Sequence, residues 1–309
     1  VDLLEDHPDV AAHEVEIAPV DTSAVARHEI VDRLPIDEPL HVNGIGHTAS
    51  VGCSAMDLVP VVDISDPTWT SLAALDSACR DHGFFLLAGH GLDDVFADTF
   101  AAARRFFDAD HSVKESVRRD AVNPLGYNDR ELTKRRRDHK EVFDLVDPDN
   151  PFADRHNRWP DGVDGFRDAM DRHFTACGEL AGRTAELVLA ALGLPPDNTS
   201  AHTGDRSTSS LRLNHYTVGD PVPDDEREGL ADLGDVALGH HTDTGVLTLL
   251  LQDDVGGLQS LSNEHGWIDI EPRPGTVVVN LADVMQVWTN DRYRAAVHRV
   301  TPMTTSTRM

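Results

Sequence analysis

The sequence predicts a mainly β protein with flanking helices. An N-terminal α/β region and one long backing helix precede a β-rich C-terminal part that folds as a jelly roll. Three observations carry this. Beyond residue 205, short apolar runs are separated by Gly, Pro and Asp turns, the pattern of a sandwich or barrel. Across residues 164–192, Phe166, Met170, Phe174, Cys177, Ala181, Ala185, Val188 and Ala191 recur at spacings of three and four, one stripe of a long helix. Upstream, strand-like and helix-like stretches alternate.

Residues 1–55 mix Asp, Glu, His and Pro with little periodicity, so an N-terminal extension, flexible and with its natural start at Met56, is expected. Residues 56–160 form the α/β region and 161–309 the β-rich region with its helix. Residues 59–64 read as a strand. Asp66 and Pro67 supply an N-cap and a first helical position, and Leu72, Leu75, Ala78 and Cys79 mark one face of a helix ending near Gly83. A strand over 84–88 and a helix over about 93–107 follow. Residues 130–140 are a basic island, expected to be a solvated charged face, with a mouth recruiting an anionic substrate as the alternative. The long helix stops at Gly193, Pro195 and Pro196. His173 and Cys177 lie one turn apart on it, within reach of a shared metal, but a stripe at helical spacing reads as core.

Composition narrows the partners. The 309 residues are 40% hydrophobic and 26% charged, ordinary for a globular chain, but the net charge is -27, with three lysines. That balance argues against nucleic acid or an anionic membrane as partner. Adaptation to high salt and the codon bias of a GC-rich genome account for it equally well. Cys53, Cys79 and Cys177 are odd in number and far apart, which suggests neither a disulfide framework nor a thiolate metal site. With no secretory signal pattern and no window nearing 18 apolar residues, a soluble, cytoplasmic protein is expected.

The chemistry centres on residues 238–259. His241 and Asp243 form a His-x-Asp ahead of an apolar run, 246–251, that reads as a buried strand. On an extended chain residues i and i+2 face the same way, so both side chains would enter one space. Downstream, 275–280 reads as a turn and buried strand, and His298 sits between apolar residues in an alternating stretch. Two imidazoles and a carboxylate brought together in this way are the 2-His-1-carboxylate triad of non-haem Fe(II) sites. His240 is a rival ligand, but it is one residue out of register and should face the other way.

These residues, taken together, resemble the isopenicillin N synthase-like branch of the Fe(II)- and 2-oxoglutarate-dependent oxygenases. His298, Arg299 and Val300 follow the His-x-Asp, with His298 57 positions after His241 and Arg308 ten residues later. Asn214 and Tyr216 match the family's Asn-x-Tyr strand. Residues 59–63 and 79–91, Gly126 with Tyr127, Lys140 to Phe143, and Arg158 to Pro160 recur in the family's order, covering about residues 56–309. The resemblance implies a double-stranded β-helix and an oxidative decarboxylation of 2-oxoglutarate with O2 to succinate and CO2, coupled to hydroxylation or desaturation of a small-molecule substrate. It implies that His241, Asp243 and His298 bind Fe(II). Arg308, Tyr216 and Asn214 would bind 2-oxoglutarate, Asp283, Gln286, Trp288 and Asn290 would support the sheet rather than contact substrate, and Tyr127, Phe143 and Trp288 are the candidates to line the substrate pocket. The family also carries a Ser two residues after its Arg, then a strand and helices, so this chain is expected to be a fragment, with a naturally shortened form as the alternative. An oxidase or ethylene-forming enzyme of the same fold, and a non-catalytic metal-binding jelly roll, stay open as alternatives.

Overall fold

Strands that are apolar at nearly every position must be covered on both faces, and residues 84–88 and 276–281 are such strands. A computed structural model describes residues 59–65, 69–150, 153–194 and 208–309. In chain order its elements begin with β1 (Val61–Asp63), α1 (Trp69–Asp81), β2 (Phe84–Ala88), α2 (Asp93–Phe107) and α3 (His111–Ser116). Next come β3 (Gly126–Asn128), β4 (Leu132–Thr133), β5 (Arg136–Arg137), β6 (Lys140–Val146), α4 (Ala153–His156) and α5 (Phe166–Ala191). The C-terminal part holds β7 (Ser210–Tyr216), β8 (Leu238–His241), β9 (Leu247–Leu250), β10 (Leu258–Ser262), β11 (Gly266–Asp269), β12 (Thr276–Leu281), α6 (Asp283–Trp288) and β13 (His298–Val300).

Two four-stranded sheets, β1-β2-β12-β9 and β11-β10-β13-β8, make the jelly roll. Alternation along the strands explains how they are covered. Phe84, Leu86 and Val278 of the first sheet meet Leu258, Ile268 and Val300 of the second in one buried cluster. Phe85, Leu87, Val277 and Val279 point the other way, onto Leu75 and Cys79 of α1 and Leu180 and Val188 of α5. The long helix therefore backs the first sheet, as its stripe requires. It ends at Gly193, whose φ of +85° is the left-handed conformation that favours glycine. A third sheet, β3-β6-β7, lies against α2 and α5 through Phe106, Phe143, Phe166 and Met170.

The structure amends several expectations. The first strand is shorter than read, and the long helix starts at Phe166. The extension over 1–55 and the Asp66, Pro67, Pro195 and Pro196 signals lie outside the described residues. The basic island is a solvated face only in part: Lys134, Arg135 and Arg136 are exposed, whereas Arg137 and Lys140 are buried. Its middle is the β4–β5 hairpin, and several of its charges meet partners within the protein. Arg137 grips the Asp220 carboxylate with both Nη atoms (2.7 and 2.6 Å), Arg136 Nε donates to the Leu233 carbonyl (3.0 Å) and Arg130 pairs with Glu226. Lys140, 2% exposed, pairs with Glu131 at 3.1 Å. Burying a cation demands such partners. Among the described residues no helix is long and apolar enough to cross a membrane.

Candidate metal centre

Strands β8 and β13 are neighbours, and their register sets His241 directly across from His298, with ring centroids 4.3 Å apart. β8 ends at His241, so Asp243 belongs to the following loop rather than to the strand. That loop is pinned by the start of α6: Asp283 N–H donates to the Asp243 carbonyl (2.9 Å) and Val284 N–H to that of Gly245 (3.1 Å). Asp243 Oδ1 consequently stands 3.5 Å from His241 Nε2 and 3.7 Å from His298 Nε2. One donor atom from each of the three residues lies within 4.8 Å of the others.

Hydrogen bonds prepare these atoms to bind a cation. Each imidazole donates its Nδ1–H to the carbonyl two residues earlier, His241 to Gly239 (2.9 Å) and His298 to Ala296 (3.0 Å). This leaves the Nε2 lone pairs facing Asp243. Burial, reinforced by His241, lowers the pKa of His298 and keeps it neutral. Burial alone would raise the Asp243 carboxyl, but it is held well below the usual carboxylate range, with the Thr248 and Asn280 donors contributing. Two imidazoles and one carboxylate suit a divalent transition metal. His240 turns elsewhere, its Nε2 2.8 Å from Lys134 Nζ.

Arg308 lies 3% exposed beside Tyr216, and the two residues exchange backbone hydrogen bonds (3.0 and 2.7 Å). Its Nη atoms donate to neutral acceptors, the Gly256 carbonyl (2.9 Å) and Gln252 Oε1 (3.0 Å), and its buried Nε has no hydrogen-bond partner. Burial lowers the guanidinium pKa, yet arginine stays a cation. A buried cation with only neutral acceptors and a spare donor, lining a cleft, fits a carboxylate ligand. Burial likewise pushes the Tyr216 hydroxyl up, leaving it neutral. Asn214, on the same strand, has a buried Oδ1 without a partner. Arg308, Tyr216, Asn214 and the triad line one cleft of about 1460 Å³.

Comparison with known proteins decides the family. Residues 207–309 match the 2OG-Fe(II) oxygenase superfamily, and residues 59–162 match the family described as "non-haem dioxygenase in morphine synthesis N-terminal". A 2-oxoglutarate-dependent dioxygenase of Didymella fabae is 35% identical over 246 residues, covering 72% of each chain. The chain belongs to the 2-oxoglutarate- and Fe(II)-dependent oxygenases. Gibberellin 2-beta-dioxygenase 1 of Arabidopsis thaliana is 31% identical over 80% of this chain and 74% of its own. The full-length Neurospora crassa T7H, solved with alpha-KG, superposes with a TM-score of 0.67 at 27% identity, over 81% of this chain and 82% of that one. Iron and 2-oxoglutarate are thus the cofactor and co-substrate, and the chain is an oxidoreductase.

The oxygenase's cleft corrects the expected pocket residues. Tyr127 and Phe143 are fully buried and face each other across β3 and β6, on the side turned to α2 and α5. The Tyr127 hydroxyl donates to Glu141 Oε2 (2.7 Å). Trp288 is 44% exposed on α6, off the cleft. The cleft is lined instead by the opposite face of β6, at Lys140 and Asp144, by Arg212 of β7, and by Glu131, Leu132 and Thr133 near the hairpin. Period two decides this: Phe143 is one residue out of phase with Lys140 and Asp144. Two more residues were missed by sequence reasoning, Thr248 and Asn280, which hydrogen-bond Asp243 (2.6 and 2.8 Å). The signal was present, since each is a polar side chain inside an otherwise apolar strand.

Proposed function

We propose that His241, Asp243 and His298 hold the Fe(II) and that Arg308, with Tyr216 and Asn214, holds the distal carboxylate of 2-oxoglutarate. The observation that carries this is the buried Arg308 guanidinium, which has no carboxylate bonded to it among the described residues and lines the same cleft as the triad. When bound, the iron supplies the O2 chemistry that couples decarboxylation of 2-oxoglutarate, to succinate and CO2, with hydroxylation or desaturation of a C–H bond. The protein's own residues bind and orient. The two Nδ1–H bonds fix the imidazoles, Arg308 presents a planar donor fork, and Leu238, Leu258 and Val300 give the cleft apolar walls that exclude water.

The substrate is a small molecule. Related proteins are a homoarginine-6-hydroxylase of Oryza sativa and gibberellin dioxygenases, and solved neighbours hold thymine or JA. The isopenicillin N synthase-like branch and a cytoplasmic setting suit the motif order and the free thiols of Cys79 and Cys177. Dependence of turnover on 2-oxoglutarate separates this reading from an oxidase of the same fold, whose substrate could bring its own carboxylate to Arg308. The test is succinate formation from 2-oxoglutarate under air with Fe(II), alone and with a panel of small molecules. We expect Fe(II)-dependent succinate, faster with a substrate, and a KM for 2-oxoglutarate raised on the order of 100-fold in Arg308→Ala, as for loss of a buried charge partner. Turnover indifferent to Arg308→Ala would overturn the assignment.

A further inference from the structure

Asp243 is held from the sheet that does not carry the imidazoles. Both histidines come from the second sheet, whereas Thr248 and Asn280 stand opposite each other on β9 and β12 of the first. Thr248 Oγ1 (2.6 Å) and Asn280 Nδ2 (2.8 Å) donate to the same atom, Asp243 Oδ2. The other oxygen, Oδ1, is the one that faces the two Nε2 atoms. Asn280 is 3% exposed, and its own Oδ1 has no hydrogen-bond partner. A buried amide that leaves its carbonyl unsatisfied costs stability, so packing alone gives no reason for it inside β12. Its donor does.

We propose that Thr248 and Asn280 form a clamp that makes Asp243 a one-oxygen ligand. This rests on the triad being the iron site. With Oδ2 taken by two donors, turning that oxygen onto the metal would break both hydrogen bonds. The consequence is one of counting. Three protein atoms would leave the metal's remaining positions to a 2-oxo acid and O2. A chelating Asp243 would consume one of them. Thr248 and Asn280 are therefore positioning residues: they act through Asp243 and keep the face of the metal open.

The test uses the full chain and Co(II) as a spectroscopic probe, titrated by its visible absorption, in Thr248→Val, Asn280→Val and Thr248→Ser. Both valines suit a β-strand, and Thr248→Ser keeps the hydroxyl. We expect the Co(II) Kd to rise about 10–100-fold in each valine variant, as for loss of hydrogen bonds behind a ligand, with Thr248→Ser close to the parent. At saturating Fe(II) without oxygen, the visible band of the 2-oxoglutarate complex should also be weakened or displaced in the valine variants. Unchanged Co(II) affinity and an unchanged band in both, with or without a fall in the thermal midpoint of the metal-free protein, would overturn the clamp and leave a merely structural role. Failure of the parent chain to bind Co(II) would instead overturn the iron-site reading beneath it.

Discussion

Gly239 stands two residues before His241 on β8, and a Cβ placed there would lie 2.3 Å from Thr133 Cγ2. Its backbone is not left-handed, so space and not conformation requires glycine: the β4–β5 hairpin is seated against the metal-bearing strand at this point. Threonine is stiff at χ1 and cannot swing clear. Gly239→Ala should therefore destabilise the fold by about 1–3 kcal/mol, the range for overpacking, and Thr133→Ser should restore part of it by removing the offending methyl. Urea unfolding of the single and double variants checks this, and an Ala variant as stable as the parent would count against the contact. Residues of this kind are hard to read from one sequence. His241, Asp243, His298 and Arg308 announce themselves by type and spacing. Thr248, Asn280 and Gly239 matter through neighbours far along the chain, and nothing local marks which apolar strand will face which.

Helix α5 shows the same division at the scale of an element. Its apolar stripe revealed the helix, and the reading of His173 and Cys177 as core holds. His173 is 7% exposed, its Nδ1 3.0 Å from Thr99 Oγ1 and its Nε2 3.3 Å from Cys177 Sγ. Because Thr99 Oγ1 already donates to the Val95 carbonyl, it accepts from Nδ1–H, and Nε2 accepts from the thiol. Burial pulls the pKa of this imidazole down to about 4 from 6.5, while the Cys177 thiol is pushed up to about 12. Between these two imidazole values the unfolded chain binds the extra proton, so stability is complete above the unfolded pKa and is lost as pH falls toward the folded one. From about pH 7 to about pH 5 this one residue accounts for about 2 kcal/mol. His173→Gln should lose that much less stability over the same interval by urea unfolding, and an identical pH slope would contradict the burial argument. The hairpin was read only in part: its tip is solvent-facing, as a run of like charges suggests, but the burial of Arg137 and Lys140 was not legible. Its acidic partners, Glu131, Asp220 and Glu226, are mostly distant in sequence.

At the scale of the molecule, acids outnumber bases 54 to 27, and the buried basic groups are correspondingly well supplied with partners. Arg137 holds the Asp220 carboxylate at 2.7 and 2.6 Å, and Glu131 receives Lys140 together with the more exposed Arg119 and Arg212. Against that background Arg308 stands out. It is buried, yet its Nη donors go to neutral oxygens, while Asp253 accepts from the Met309 N–H (2.7 Å). The jelly roll and its backing helix were legible because strand length, turn residues and helical periodicity are local properties. The pocket walls were not, because Tyr127 and Phe143 differ from true lining residues only by the phase of a strand. The central claim is that the triad and Arg308 serve one chemistry, and anaerobic addition of Fe(II) followed by 2-oxoglutarate tests it most directly. The account predicts the visible charge-transfer band of the chelated complex in the parent chain, and its loss at matched concentrations in both His241→Ala and Arg308→Ala. A parent that binds Fe(II) but shows no band with 2-oxoglutarate, or a band that survives both substitutions, would contradict it.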